Sequence, residues 1–224
     1  MDELRGLLAG LNTPDYLTAG EPKRGGEFDV NAYFTVLDHL ALESGYVLDY
    51  VYYFDGMGGA PVLYVRPEAQ PALATYQDYL AAGGEGKDCL WCNYLDYVHT
   101  DDTPEGYFQL TLLRILGDQF YLDWHANYND ALPICDARAI EAVLENLDGE
   151  FYQKMSARDY LRAQRLDVTP VVVFEETQVK VSLVIFTKWG GFIRETYTFS
   201  RTFPHTVLDY VEEVLLEYDC GVMF

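Results

Sequence analysis

A run of β-branched and aromatic residues at 46–54 is followed by Asp55-Gly56-Met57-Gly58-Gly59 and then by a second such run at 61–65. Glycine supplies the backbone freedom of a tight reversal, so this spacing predicts a β-hairpin and commits the chain to antiparallel pairing. Leu73, Tyr76, Tyr79 and Leu80 then recur at helical spacing within 71–82, which completes a strand, strand, helix unit.

The same order reads twice more. Residues 107–116, a Gly117-Asp118 turn, 119–128, an Asn129-Asp130 break and a helix over 136–147 form a second unit. An apolar run at 171–174 introduces a third, with strands over 178–188 and 192–201 about Gly190-Gly191 and a helix over 205–218. Phe120 and Phe192, Pro133 and Pro204, and Asp148 and Asp219 lie 72, 71 and 71 residues apart, so 107–148 and 178–219 can be laid side by side. Duplication and independent hairpin-plus-helix units both account for this. The fold class expected is α+β: antiparallel sheet, or sheets, built from three successive ββα units with the helices packed on one face.

Residues 1–27 read as an arm of short helix and loop, and 28–224 as a single domain. Within it, 28–42 has helical spacing that Ser44-Gly45 stops, and 150–166 reads as a helical connector in which Ser156 and Asp159 resemble a capping box. The chain has 224 residues, half of them apolar, enough for a substantial core. The N-terminus lacks the basic start and apolar stretch of an export signal, and no apolar run approaches the ~18 residues of a membrane span. The expectation is a soluble, cytoplasmic protein with no membrane partner.

Charge narrows the function. The net charge is -21, which argues against nucleic acid as a partner, because a phosphate backbone requires a basic face. Residues 25–150 hold 22 acids and four bases, whereas 151–224 hold 10 acids and eight bases. Lys154, Arg158, Arg162 and Arg165 would form one basic stripe on an unbroken helix, suited to pairing with the chain's own acidic segments or to a solvated face.

No G-x-S-x-G elbow, H-E-x-x-H or phosphate loop occurs, and no cofactor is expected. Cys89-Leu90-Trp91-Cys92 is a C-x-x-C, but no strand precedes it as in redox folds and no second ligand pair follows for zinc. Cys89 and Cys92 are expected to pack as small apolar side chains, with metal binding the lesser alternative. The densest polar pattern lies in 119–129. Strand alternation there would place Phe120, Leu122, Trp124, Ala126 and Tyr128 on a core face, and Tyr121, Asp123, His125, Asn127 and Asn129 on the other. That row is either the solvent face of a strand or a recognition surface.

Three functions stay open. The leading one is a non-enzymatic binding protein whose acidic, tyrosine-bearing surface engages a basic protein, as an immunity-type inhibitor or polyanion mimic would. The alternative is a small-ligand protein or enzyme using Asp123, His125 and Asn127. The third is an oligomeric module, such as a dimer, in which the basic connector docks on an acidic neighbour.

Overall fold

The structure, a computed structural model, describes residues 2–84, 89, 92–128, 130–147 and 152–222. Asn129, Asp148 and the start of the connector at Glu150 lie outside these. Helices and antiparallel sheets are both present, as the α+β expectation requires. The chain divides into two compact units, Met1–Asn127 with Arg201–Thr206, and Tyr128–Ser200 with Val207–Phe224. The division runs through the span 28–224 that reads as one domain.

The first unit opens with α1 (Asp2–Leu8) and α2 (Asp15–Thr18), whose Leu4 and Leu17 are buried, so the segment read as an arm contributes to this unit's core. The helix expected over 28–42 is broken into a 3-10 turn (Val30–Ala32), the single turn α3 (Tyr33–Val36) and β1 (Leu40–Leu42). Asp29 caps the 3-10 turn by accepting from the backbone of Asn31, a local bond that competes with continuous helix. The hairpin forms as expected from β2 (Tyr46–Phe54) and β3 (Gly58–Pro67), in register from Tyr46 opposite Pro67 to Phe54 opposite Gly59. Asp55 closes its turn by accepting from the amides of Met57 and Gly58. Then α4 (Tyr76–Ala81) starts on a Thr75–Asp78 capping box and packs Tyr79 with Val51 and Tyr64.

After β4 (Val98–Thr100), which pairs with β1, the segment 107–116 is a helix and not the expected strand. Thr103 caps α5 (Pro104–Leu116), Pro104 occupies its first turn and Glu105 sits where the helix dipole favours an acid. The helix is buried nearly all round, from Tyr107 and Leu110 to Ile115 and Leu116, so no polar face reveals its period. The strand expected over 119–128 shrinks to β5 (Asp123–Trp124), beside Gly58 and Gly59 of β3, followed by a 3-10 turn (His125–Tyr128).

The second unit is built on a five-stranded sheet. A hairpin of β8 and β9 (Gln178–Thr187 and Gly191–Ser200) runs in register from Gln178 opposite Ser200 to Thr187 opposite Gly191. On one side of β8 lie β6 (Leu132–Ile134) and β7 (Val171–Phe174). On the far side of β9 lies β10 (Val207–Leu216). The helix expected over 205–218 is therefore a strand. Its Val207, Val211 and Val214 suit either period, and a long antiparallel register with β9 decides between them. Gly191 has φ +82°, and a Cβ there would sit 2.1 Å from the Leu216 carbonyl oxygen, so only glycine lets β9 begin so close to the end of β10.

As expected, α6 (Ala137–Leu147) is an amphipathic helix. Its Ile140, Val143, Leu144 and Leu147 pack on Val184, Phe186, Phe192 and Leu216 from one sheet face. Among the described residues of the connector, Ala157–Ala163 form α7, capped by Ser156. Among the described residues β2-β3-α4 follows the strand, strand, helix order, whereas 107–147 and 178–219 differ in their elements.

Candidate functional site

The β10 strand is the outer strand of its sheet, with β9 as its one strand partner among the described residues. It is ten residues long and open on both faces as far as Val214, beyond which Leu216 is buried with Ala163 of α7: Leu208, Tyr210, Val211 and Val214 are 57%, 41%, 52% and 54% exposed. An edge of this length with unpaired backbone groups and apolar side chains is a template for another strand.

One face of that edge carries a charge problem. Register places Glu212 of β10 directly opposite Glu195 of β9, and Tyr210 opposite Tyr197. Glu195 is 6% exposed and accepts from the hydroxyls of Tyr197 and Tyr210, each at 2.7 Å. The same Tyr210 hydroxyl lies 2.6 Å from Glu212, yet it has one proton and can donate to one carboxylate at a time. No cation is a hydrogen-bond or ion-pair partner of Glu195 or Glu212 among the described residues. Burial, then Glu212 and Glu195, push the Tyr210 phenol far up, so it stays a donor. On the other face, Asp209 and Glu213 flank Val211, and Arg194 lies 3.5 Å from Glu213.

Among its described residues, 121–127, the expected alternating row is broken. Tyr121 and Trp124 adopt φ of +50° and +41°, and two such residues break the alternation. Tyr121, expected on the polar face, is buried, its hydroxyl accepting from the Phe28 amide and its carbonyl from the Tyr52 hydroxyl. Trp124, expected in the core, is 51% exposed. Asp123 sits in β5 opposite Gly59, His125 begins the 3-10 turn with its ring 4.0 Å from that of Trp124, and Asn127 is exposed. His125 lines a hollow of ≈ 350 Å³ beside the β2–β3 turn, with Tyr53, Asp55 and Met57.

The basic stripe is interrupted as well. Arg158 and Arg162 lie on α7, Lys154 precedes it and Arg165 falls in the turn after it, all four exposed. Arg162 pairs with Asp159 at 3.1 Å. Cys89 and Cys92, expected as packed thiols, are joined in a disulfide.

The first unit also holds a buried ion cluster that no local pattern in the sequence signals. Asp49 and Arg66 are diagonal neighbours on one face of the β2–β3 hairpin, and Lys23 reaches the same carboxylate. Arg66 Nε donates at 2.8 Å and Lys23 Nζ at 2.5 Å, with side-chain exposures of 22% for Arg66, 14% for Lys23 and 12% for Asp49. Burial pushes the Asp49 carboxyl up, but these two donors outweigh it and hold it below the usual range. Nearby, burial opposes ionisation of Glu27, and the amides of Arg24 and Gly25 with the Tyr16 hydroxyl overcome it, bringing that carboxyl to about 2.

Neither a known protein family, nor a curated protein, nor a solved structure matches the chain.

Proposed function

We propose that the protein is a non-enzymatic binding module that captures a basic partner by strand addition on β10. The observation that carries this reading is the unneutralised Glu195–Glu212 pair on a long, two-faced, partly apolar edge strand. An extended segment laid along β10 would satisfy its outer backbone groups, cover Leu208, Val211 and Val214, and bring a Lys or Arg to the two carboxylates. A second copy of this chain is the poorer occupant. Antiparallel β10 pairing would bring two sets of Asp209, Glu212, Glu213 and Glu217 together, and 202–224 contains five acids and no base to offset them.

The test is retention of lysate proteins on the immobilised wild-type chain and on a Glu212→Lys/Glu213→Lys variant. A basic protein should be held at low salt by the wild type alone. It should be released at about 1 M salt, where the screening length falls to ~3 Å. Equal retention by both baits, or retention that salt does not affect, would refute the reading.

A further inference from the structure

The first unit carries a half-open hollow of ≈ 370 Å³ against Lys23, Glu27, Asp29, Asp49, Tyr50 and Arg66. This volume is near the lower end of the ~300–1,000 Å³ range of small-molecule sites. The charged groups are not all saturated. Lys23 Nζ has the Asp49 carboxylate and the face of Tyr50, 4.4 Å away, and keeps further protons to donate. Arg66 uses Nε on Asp49 and Nη1 on the carbonyls of Pro67 and Gln70, which leaves Nη2. Asp29 accepts from Asn31 with Oδ1 alone, which leaves Oδ2. Glu27, by contrast, is occupied at both oxygens.

Spare donors and a spare acceptor thus line one hollow, together with Asn31 and the apolar side chains of Phe28, Val30, Leu48 and Leu73. Two cations stand against three carboxylates, so a dianion such as inorganic phosphate meets net repulsion, and a simple amine leaves the Lys23 and Arg66 donors unused. A molecule bearing both charges and an apolar tail answers all three features. We propose that this hollow binds a free apolar α-amino acid as its zwitterion, with the carboxylate on Lys23 and Arg66 and the ammonium toward Asp29. This site is independent of the β10 edge.

The proposal is tested by calorimetric titration of the full chain with L-leucine, L-valine and L-phenylalanine. Isocaproate, which is leucine without its ammonium, and isoamylamine, which is leucine without its carboxylate, serve as controls. Saturable binding of at least one amino acid is expected, with both controls weaker by about tenfold or more, as loss of one charged contact implies. Lys23→Met should weaken amino-acid binding by a similar factor. Asp29→Asn, which preserves the acceptor that caps Asn31 and leaves Asp49 untouched, should weaken it too, and covers the case in which Lys23→Met does not fold. No saturable binding by any of the three amino acids, a control that binds as well as leucine, or full affinity in Asp29→Asn would overturn the assignment.

Discussion

Replacing Asp49 by asparagine keeps the side chain's shape and removes the charge that two cations share. In the wild type, Lys23 and Arg66 converge on a carboxylate that is 12% exposed. Breaking a buried ion pair by removing one partner costs about 3–5 kcal/mol, because the remaining charge stays desolvated. Lys23 and Arg66 keep 14% and 22% of their side-chain exposure, so each reaches water in part and the lower end, about 3 kcal/mol, is the working figure. For a chain of this length, 1 kcal/mol corresponds to about 2–4 °C in Tm, so Asp49→Asn should melt about 6–12 °C lower, as followed by circular dichroism. The difference should also depend on pH. The folded carboxyl lies below its unfolded value of about 3.9, so its stabilisation is fully present above that value. It disappears as pH falls through the folded value, and wild type and variant should converge there. A loss of under about 1 kcal/mol at neutral pH would mean that the cluster behaves like an exposed surface pair, and would refute a buried one.

Other outcomes follow from single contacts. Thr103→Ala removes the cap of α5 and should cost about 1 kcal/mol in urea unfolding; an unchanged midpoint would deny that the cap matters. Tyr210→Phe takes one of two donors from buried Glu195 and should destabilise the second unit by about 1–3 kcal/mol, with an unaltered melting curve as the contrary result. Gly191→Ala combines a positive φ with a Cβ driven into the Leu216 carbonyl, and should be among the most damaging small substitutions in the chain, visible as lost soluble yield; a normal yield and Tm would contradict it. The His39 ring nitrogen lies 2.7 Å from Asp101, which raises the imidazole's affinity for its proton. Its stabilising contribution should be full below about pH 6.5 and fade as pH rises through the higher folded value. Titration by NMR should find His39 above 6.5, and a value at or below it would refute the pairing.

What could be read in advance depended on whether the signal was local. The β2–β3 and β8–β9 hairpins announce themselves by glycine-rich turns between β-branched runs, and α6 by a clean 3.6-residue period. In α5 that period is invisible because the helix is buried nearly all round, although Thr103-Pro104-Glu105 marks its start in the sequence. In β10 the valines fit both periods, and pairing with a strand that ends seven residues earlier decides between them. The polar row failed for a conformational reason, since nothing in the residue types of Tyr121 and Trp124 signals positive φ. The candidate edge was hidden by averaging. Counted over 151–224 the charge is nearly balanced, but every base lies before 202, and Glu195 meets Glu212 only through the β9–β10 register. The Lys23–Asp49–Arg66 cluster is equally a product of register and chain return.

Strand addition by a basic partner at β10 is tested most directly by amide hydrogen exchange of the complex with the partner retained at low salt. Protection should appear in 207–216 and vanish in Glu212→Lys/Glu213→Lys. A complex that forms while exchange in 207–216 is unchanged, or a wild-type chain that retains no basic partner at low salt, would contradict strand addition at β10.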